Sequence, residues 1–305
     1  MLFKNLLVYR FTKPFTQTPE EFAELLAAKI FRPCGKQEQT SLGWVPPIGQ
    51  DDSPLVHAAN GRMMVCLQRQ EKLLPGAIVN EVLAEKIAEM EAREGRKPGK
   101  QERITLKEEI VFELLPRAFS RTRKLYAYID LALGLLIVDS ASHKSAEELI
   151  SELRTVLGSL PVASMKTHHP IPPTLTTWLA EGQLPEDFTL GGECELRDTD
   201  DEGGVIRCKN QDLFSDEIRS HLASGMYVSK MALCWSGGID CIIDENFSLK
   251  RLRFGDLIDD KLGEVDAESA GEQFDIDFTI MAGEFANFIP VLVKAFGGGN
   301  DAETD

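Results

Sequence analysis

The run Leu114-Leu115-Pro116-Arg117-Ala118-Phe119-Ser120-Arg121 sets one aromatic ring between two guanidinium groups, just after a proline. Guanidinium forks bind phosphate oxygens in pairs. An aromatic ring beside them can stack on a base or wedge into a base step. The run closes a basic stretch: residues 86–124 hold eleven Lys/Arg against seven Asp/Glu, a net +4 in a chain whose formal charge is −16. Local potential, not total charge, draws a polyanion to a surface. The phosphate-contact candidates are therefore Arg96, Lys97, Lys100, Arg117, Arg121 and Arg123, with Phe119 as the stacking or wedging ring. The competing reading is a solvated helical hairpin with ordinary Glu/Lys pairing, its Phe119 a core contact at a helix end. Two further runs are basic. Arg207-Cys208-Lys209-Asn210-Gln211 follows a Gly-Gly turn and a short strand, and Lys250-Arg251-Leu252-Arg253 alternates as an amphipathic strand would. Lys209, Lys250 and Arg251 join the candidates. Either run reads equally as a solvated face, and linear order does not say whether the runs converge.

Ser236-Gly237-Gly238-Ile239-Asp240 is the sharpest enzyme-like signal. It resembles the SGGxD loop of ATP pyrophosphatases, whose backbone N–H groups cradle a pyrophosphate. Such a loop should open a helix, whose N-terminus completes the anion site. Here Cys241-Ile242-Ile243-Asp244 continues as strand, so Gly237-Gly238 is expected to be a tight hairpin turn. His168-His169 are adjacent on an extended segment and point to opposite faces, which suits loop residues better than a metal pair. Asp198, Asp200, Asp201 and Glu202 lack the calcium-loop spacing and read as a solvated turn. Nothing here makes a positive case for catalysis, a metal or a cofactor.

The elements that must position these residues are legible in part. Asn5 to Phe11 reads as a strand. Thr18-Pro19-Glu20-Glu21 has the pattern of a capping box, followed by Phe22, Leu25, Leu26 and Ile30 at helical spacing. Gly43 to Gly49 reads as a Pro/Gly-bounded loop, and Leu55–Ala59 with Met63–Leu67 as a hairpin turning at Asn60-Gly61. Residues 76–118 read as two helices joined at the basic turn Gly95 to Lys100. A hairpin around Gly134, a helix from about Lys144 to Leu157 and a strand to Met165 follow. The prolines of His168 to Pro173 suggest a boundary. Beyond it come a short helix, strands at Cys194–Leu196 and Val205–Arg207, a helix from Ser215, and a strand-rich block of Tyr227–Trp235, Asp240–Asp244 and Ser248–Phe254. An apolar helix over Phe278–Phe296 comes last, which Pro290 should kink or interrupt.

Together these predict an α+β chain of several lobes with mixed β-hairpins and helices. The expected division is residues 1–75, a basic helical hairpin at 76–124, a ββαβ segment at 125–167, and a C-terminal α+β lobe at 168–305 with an acidic tail. Residues 256–305 carry thirteen Asp/Glu and two Lys, a net −11. No charge-free apolar run is long enough to span a bilayer. Six scattered cysteines without a CxxC pair suit reduced thiols in a cytoplasm.

Ordered blocks along nearly the whole chain resemble the bacterial RdgC family. They include Phe3 to Arg10, Pro33-Cys34, Gly43-Trp44-Val45-Pro46-Pro47, Leu114 to Ser120 and Val138 to Ser142, then Leu157 to Val162, Gly203 to Arg207, Lys209 to Leu213 and Leu249 to Phe254. The resemblance implies a non-enzymatic, nucleoid-associated protein of the cytoplasm. Such a protein forms a ring-shaped homodimer with a positive channel, binds single- and double-stranded DNA without marked sequence preference, and opposes RecA-driven strand exchange. It implies DNA contacts at Arg117, Phe119 and Arg121, and at Lys209 and Gln211. Apolar segments such as Ala286 to Phe296 could serve an interface as well as a core. Two other functions compete: an ATP pyrophosphatase-like enzyme using Ser236 to Asp240, and an acidic protein that binds the recombinase without DNA.

Overall fold

The computed structural model describes residues 2–50, 52–200, 203–256, 258, 267 and 269–299. The acidic tail after 299, Asp201 and Glu202, and most of 257–268 therefore lie outside the described residues. In chain order the elements are β1 (Asn5–Phe11), α1 (Pro19–Ala27), β2 (Thr40–Val45), β3 (His57–Ala59), β4 (Arg62–Leu73), α2 (Gly76–Glu94), α3 (Lys100–Leu114), β5 (Phe119–Asp130), β6 (Leu135–Val138) and α4 (His143–Leu157). They continue as β7 (Val162–Ser164), α5 (Ile171–Glu181), β8 (Phe188–Arg197), β9 (Val205–Lys209), α6 (Asp216–Ala223), β10 (Tyr227–Trp235), β11 (Ile239–Asp244), β12 (Leu249–Phe254) and α7 (Ala270–Ala295). The fold class is α+β, with antiparallel strand pairing.

Two compact units divide the chain: unit 1 comprises residues 1–25, 46–65 and 125–305, and unit 2 comprises residues 26–45 and 66–124. The prolines of His168 to Pro173 fall inside unit 1, where Pro172 and Pro173 sit in the first turn of α5. That turn lacks N–H partners anyway, so proline costs nothing there.

Unit 1 is built on antiparallel strands. β1 pairs with β6, β7 and β12. From β12 the order continues through β11, β10 and β8 to β9 at the edge. The hairpin turns were readable from residue type. Asn60 and Gly61 both have positive φ (49° and 74°) between β3 and β4, and Gly134 (62°) turns β5 into β6. The capping box at α1 also forms, with Thr18 N–H donating to Glu21 Oε2 at 2.9 Å and Glu21 N–H donating to Thr18 Oγ1 at 3.2 Å.

The core of unit 1 gathers around α7. Phe278, Phe285, Phe288 and Leu292 are buried on it. Phe278 meets Tyr128 edge-on at 5.6 Å, and Phe288 lies 5.4 Å from Trp235. By length and composition alone α7 could cross a membrane, but these side chains form the core of unit 1. Pro290 does not interrupt it: the helix runs through that residue without a break. Buried Phe288, Ile289, Leu292 and Val293 on both sides of the proline anchor the two halves, and tertiary packing outweighs one missing hydrogen bond. The same burial makes Ala286 to Phe296 mostly core of unit 1.

In unit 2, β2 pairs with β4 from Thr40↔Glu71 to Val45↔Cys66. The expected loop at Gly43 to Gly49 is thus strand as far as Val45. Gly43 is needed there by close packing, since a Cβ on it would lie 2.4 Å from Phe31 Cα. Trp44 beside it is fully buried. α2 and α3 form the expected helical pair. α2 ends at Gly95, which takes the left-handed conformation (φ 67°) and donates its N–H to Glu91 O.

Candidate nucleic-acid interface

In unit 2, α3 ends in a single 3₁₀ turn, Leu115–Arg117, with proline at its start and Leu115 buried as its anchor. β5 begins directly afterwards at Phe119, earlier than the expected strand at Leu125. Its first six residues, Phe119 to Lys124, are all exposed. Side chains alternate along a strand, so Phe119, Arg121 and Arg123 share one face. Thr122 lies on the other, where its Oγ1 accepts from Gln70 Nε2 at 3.4 Å. Phe119 is 85% exposed. The helix-end core contact is therefore overturned: the ring is presented to solvent, with Arg121 and Arg123 on its own strand face.

The turn candidates divide. Arg96 is held by both oxygens of Glu102 at 2.8 and 2.9 Å. Glu102 also accepts the Gly99 N–H at 2.7 Å. The Arg96 hydrogen bond and then that N–H bring the Glu102 carboxyl down to about 2. Arg96 therefore braces the turn and has little charge to spare. Lys97 and Lys100 are exposed and have no ion-pair partner among the described residues.

In unit 1, the basic runs converge on the open face of the sheet. Cys194 and Leu196 of β8 point into the core, which turns Glu193 and Glu195 outward. Register places Arg207 opposite Glu195, Lys209 opposite Glu193, and Lys230 of β10 opposite Glu195 on its other side. Glu195 accepts from Arg207 Nε at 2.9 Å, Lys230 Nζ at 2.9 Å and Arg197 Nε at 3.2 Å. Its side chain is only 7% exposed. Burial alone would raise its pKa, but the hydrogen bonds donated by Lys230 and Arg207 bring it down to about 2. β12 adds Arg251, whose positive φ of 53° lies at a register shift against β11. Its guanidinium reaches Glu193 at 2.9 Å.

These strands enclose a hollow of about 260 Å³ lined by Arg207, Lys209, Lys230 and Arg251 with Glu193 and Glu195, four cations against two carboxylates. A second hollow of about 230 Å³ adjoins it, floored by Gly191, Gly192 and Ala232. Gly191 is required there, because a Cβ would lie 2.7 Å from the Ala232 methyl.

Lys209 and Arg251 therefore meet at one place, while Lys250 does not join them. Lys250 pairs with buried Asp244 at 2.7 Å. Gln211 is exposed in the loop after β9. Lys230 and Glu195 were not singled out by sequence reasoning. The available signal was Lys230 as the one charge in the apolar strand Tyr227–Trp235. Its partner depends on register, which no local pattern gives.

Ser236 to Asp240 forms the expected hairpin turn. β10 and β11 pair antiparallel down to Trp235↔Ile239, and Gly238, at φ 94°, donates its N–H to Trp235 O at 2.9 Å. β11 follows where a phosphate-binding loop would open a helix, which overturns the pyrophosphatase-like reading. Among the described residues no three His, Cys, Asp or Glu gather as a metal site.

The sequence matches the family described as "Putative exonuclease, RdgC" over residues 1–299. The recombination-associated protein RdgC of Psychromonas ingrahamii is 44% identical over 298 residues, 98% of this chain and 99% of its own. This chain belongs to the RdgC family. RdgC of Aeromonas hydrophila is likewise 44% identical over 98% of both chains, and that of Tolumonas auensis 43% over 98% of this chain and 99% of its own. The curated RdgC relatives are named for recombination, whereas the family description names a nuclease.

Proposed function

We propose that this RdgC-family protein binds single- and double-stranded DNA without sequence preference, as a homodimer that closes into a ring and limits RecA-promoted strand exchange. The observation that carries the DNA reading is the exposure of Phe119 with Arg121 and Arg123 on one strand face. A solvent-facing phenylalanine among arginines has no packing role within its own chain and the right chemistry for bases beside phosphates. The cationic sheet face of unit 1 supports the same reading independently. Both surfaces are built on Arg and Lys side chains that suit phosphate oxygens, so phosphate neutralisation sets the affinity. The homodimer, the ring and the cytoplasmic, nucleoid-associated location rest on the family resemblance. The name of the relatives agrees with a role in recombination.

Gel shifts on scrambled duplex and single-stranded DNA across a salt series test the proposal. Binding should be equal among sequences and fall linearly on a log–log plot, about 0.9 per phosphate on duplex and about 0.7 on single strands. A flat response, or strong preference for one sequence, contradicts it. The family description supplies a second reading, an exonuclease. End-labelled DNA incubated with the protein and Mg²⁺ should stay full length, and progressive shortening would establish the nuclease instead.

A further inference from the structure

We propose that the hollow between β8, β9, β10 and β12 is a socket for a single DNA phosphodiester, and that buried Glu195 is the positioning residue that builds it. The socket rests on the reading of this sheet face as a DNA contact. It goes further in naming where a phosphate sits and in giving an acidic residue a positive part in binding a polyanion. Four observations converge. The lining cations come from three strands, β9, β10 and β12, and the carboxylates from a fourth, β8, so they meet only in the folded sheet. Arg207 and Lys230 are both drawn to Glu195, each at 2.9 Å, from opposite sides. Glu195 is nearly enclosed while its partners stay open, with side chains 65% exposed for Arg207 and 33% for Lys230. Lys209, opposite Glu193, has no ion-pair partner among the described residues.

A carboxylate held this way fixes two flexible cations whose outward N–H groups remain available. Arg207 engages Glu195 through Nε, which leaves its terminal nitrogens for an incoming oxygen. Arranging these side chains before binding removes part of the ordering cost of contact. The carboxylate holds its charge down to about pH 2, so the arrangement persists at any physiological pH. At about 260 Å³ the hollow has room for a phosphate.

The alternative is that Glu195 merely subtracts one charge from a basic face. The two accounts give opposite signs for Glu195→Gln. Simple charge counting expects tighter DNA binding and a steeper salt slope, because the face gains a net positive charge. The socket expects weaker binding and a salt slope flatter by about 0.9, one phosphate, because Arg207 and Lys230 lose their fixed positions. Lys230→Gln should reproduce the flatter slope. Lysine acetylation of the wild-type protein provides a readout independent of any folding defect. Saturating 30-base-pair duplex should protect Lys230 and Lys209 from the reagent. DNA binding with Lys230 as reactive as in free protein overturns the socket and leaves the DNA reading standing, as does tighter binding by folded Glu195→Gln. Absence of any gel shift with wild-type protein overturns the DNA reading itself.

Discussion

Phe119 keeps 85% of its surface in solvent, and this sets what its removal can do. Truncating it opens no cavity, so Phe119→Ala should leave the melting temperature unchanged, as for an ordinary surface substitution. It should weaken DNA binding by about 1–3 kcal/mol with the salt slope unaltered, because stacking releases no counterions. Changing Arg117 and Arg121 together to Ala should do the converse, flattening the slope by about 2 while affecting all sequences alike. Melting curves and salt-titrated gel shifts on both variants check this. Wild-type affinity and slope in both would remove the segment from the DNA site. Glu195 makes a separate prediction. Its carboxyl lies near 2 in the folded protein and near the ordinary 4.3 when unfolded. A lowered folded value stabilises at pH above the unfolded value, and that stability is lost as pH falls from about 4.3 toward 2. Urea midpoints between pH 5 and 2.5 should therefore fall less steeply in Glu195→Gln than in wild type.

At the scale of elements, local chemistry was read where it was self-contained. β1 and β10 could be bounded from their apolar and β-branched residues, α1 from its capping box, and the hairpin turns from Asn60-Gly61, Gly134 and Gly237-Gly238. What was not legible depends on contacts distant in sequence. Gly43 and the prolines after it look like a loop, yet β4 pairs with Thr40–Val45 and the Phe31 backbone closes over Gly43. Phe119 to Lys124 look like the end of a helical hairpin because their exposure hides the alternation that marks a half-buried strand. Pro290 looks like a helix breaker until the buried residues around it are known. The DNA candidates followed the same rule: Arg117, Phe119 and Arg121 stand in one run, whereas Lys230 joins Arg207 only through β8. Gly43 offers a direct test. Gly43→Ala places a methyl against fixed backbone, with Phe31 Cα at 2.4 Å and Phe31 N at 2.5 Å. It should destabilise the protein by about 1–3 kcal/mol. A urea midpoint equal to wild type would mean that the approach of Phe31 is looser than described.

At the scale of the whole molecule, the proposed function asks a chain of formal charge −16 to bind a polyanion while most of its charge repels one. The repulsion is useful if it confines DNA to the few surfaces where cations outnumber carboxylates. The hollow on unit 1 is such a surface, net +2 from four cations and two carboxylates. The strand face of Phe119, Arg121 and Arg123 in unit 2 is another. A homodimer doubles both, and affinity then rises because the second engagement occurs at high effective concentration. A closed ring adds a consequence that charge alone cannot produce. Electrostatic contacts dissolve at high salt regardless of DNA topology, but a ring around DNA leaves only by opening or by sliding off an end. After binding at low salt and a shift to high salt, protein should be retained on covalently closed circular DNA and lost from the same DNA once linearised. Equal loss from both forms, with sedimentation showing a stable dimer, would leave the DNA-binding dimer in place and remove the encircling ring. Sedimentation showing only monomer at micromolar concentration would remove the dimer as well.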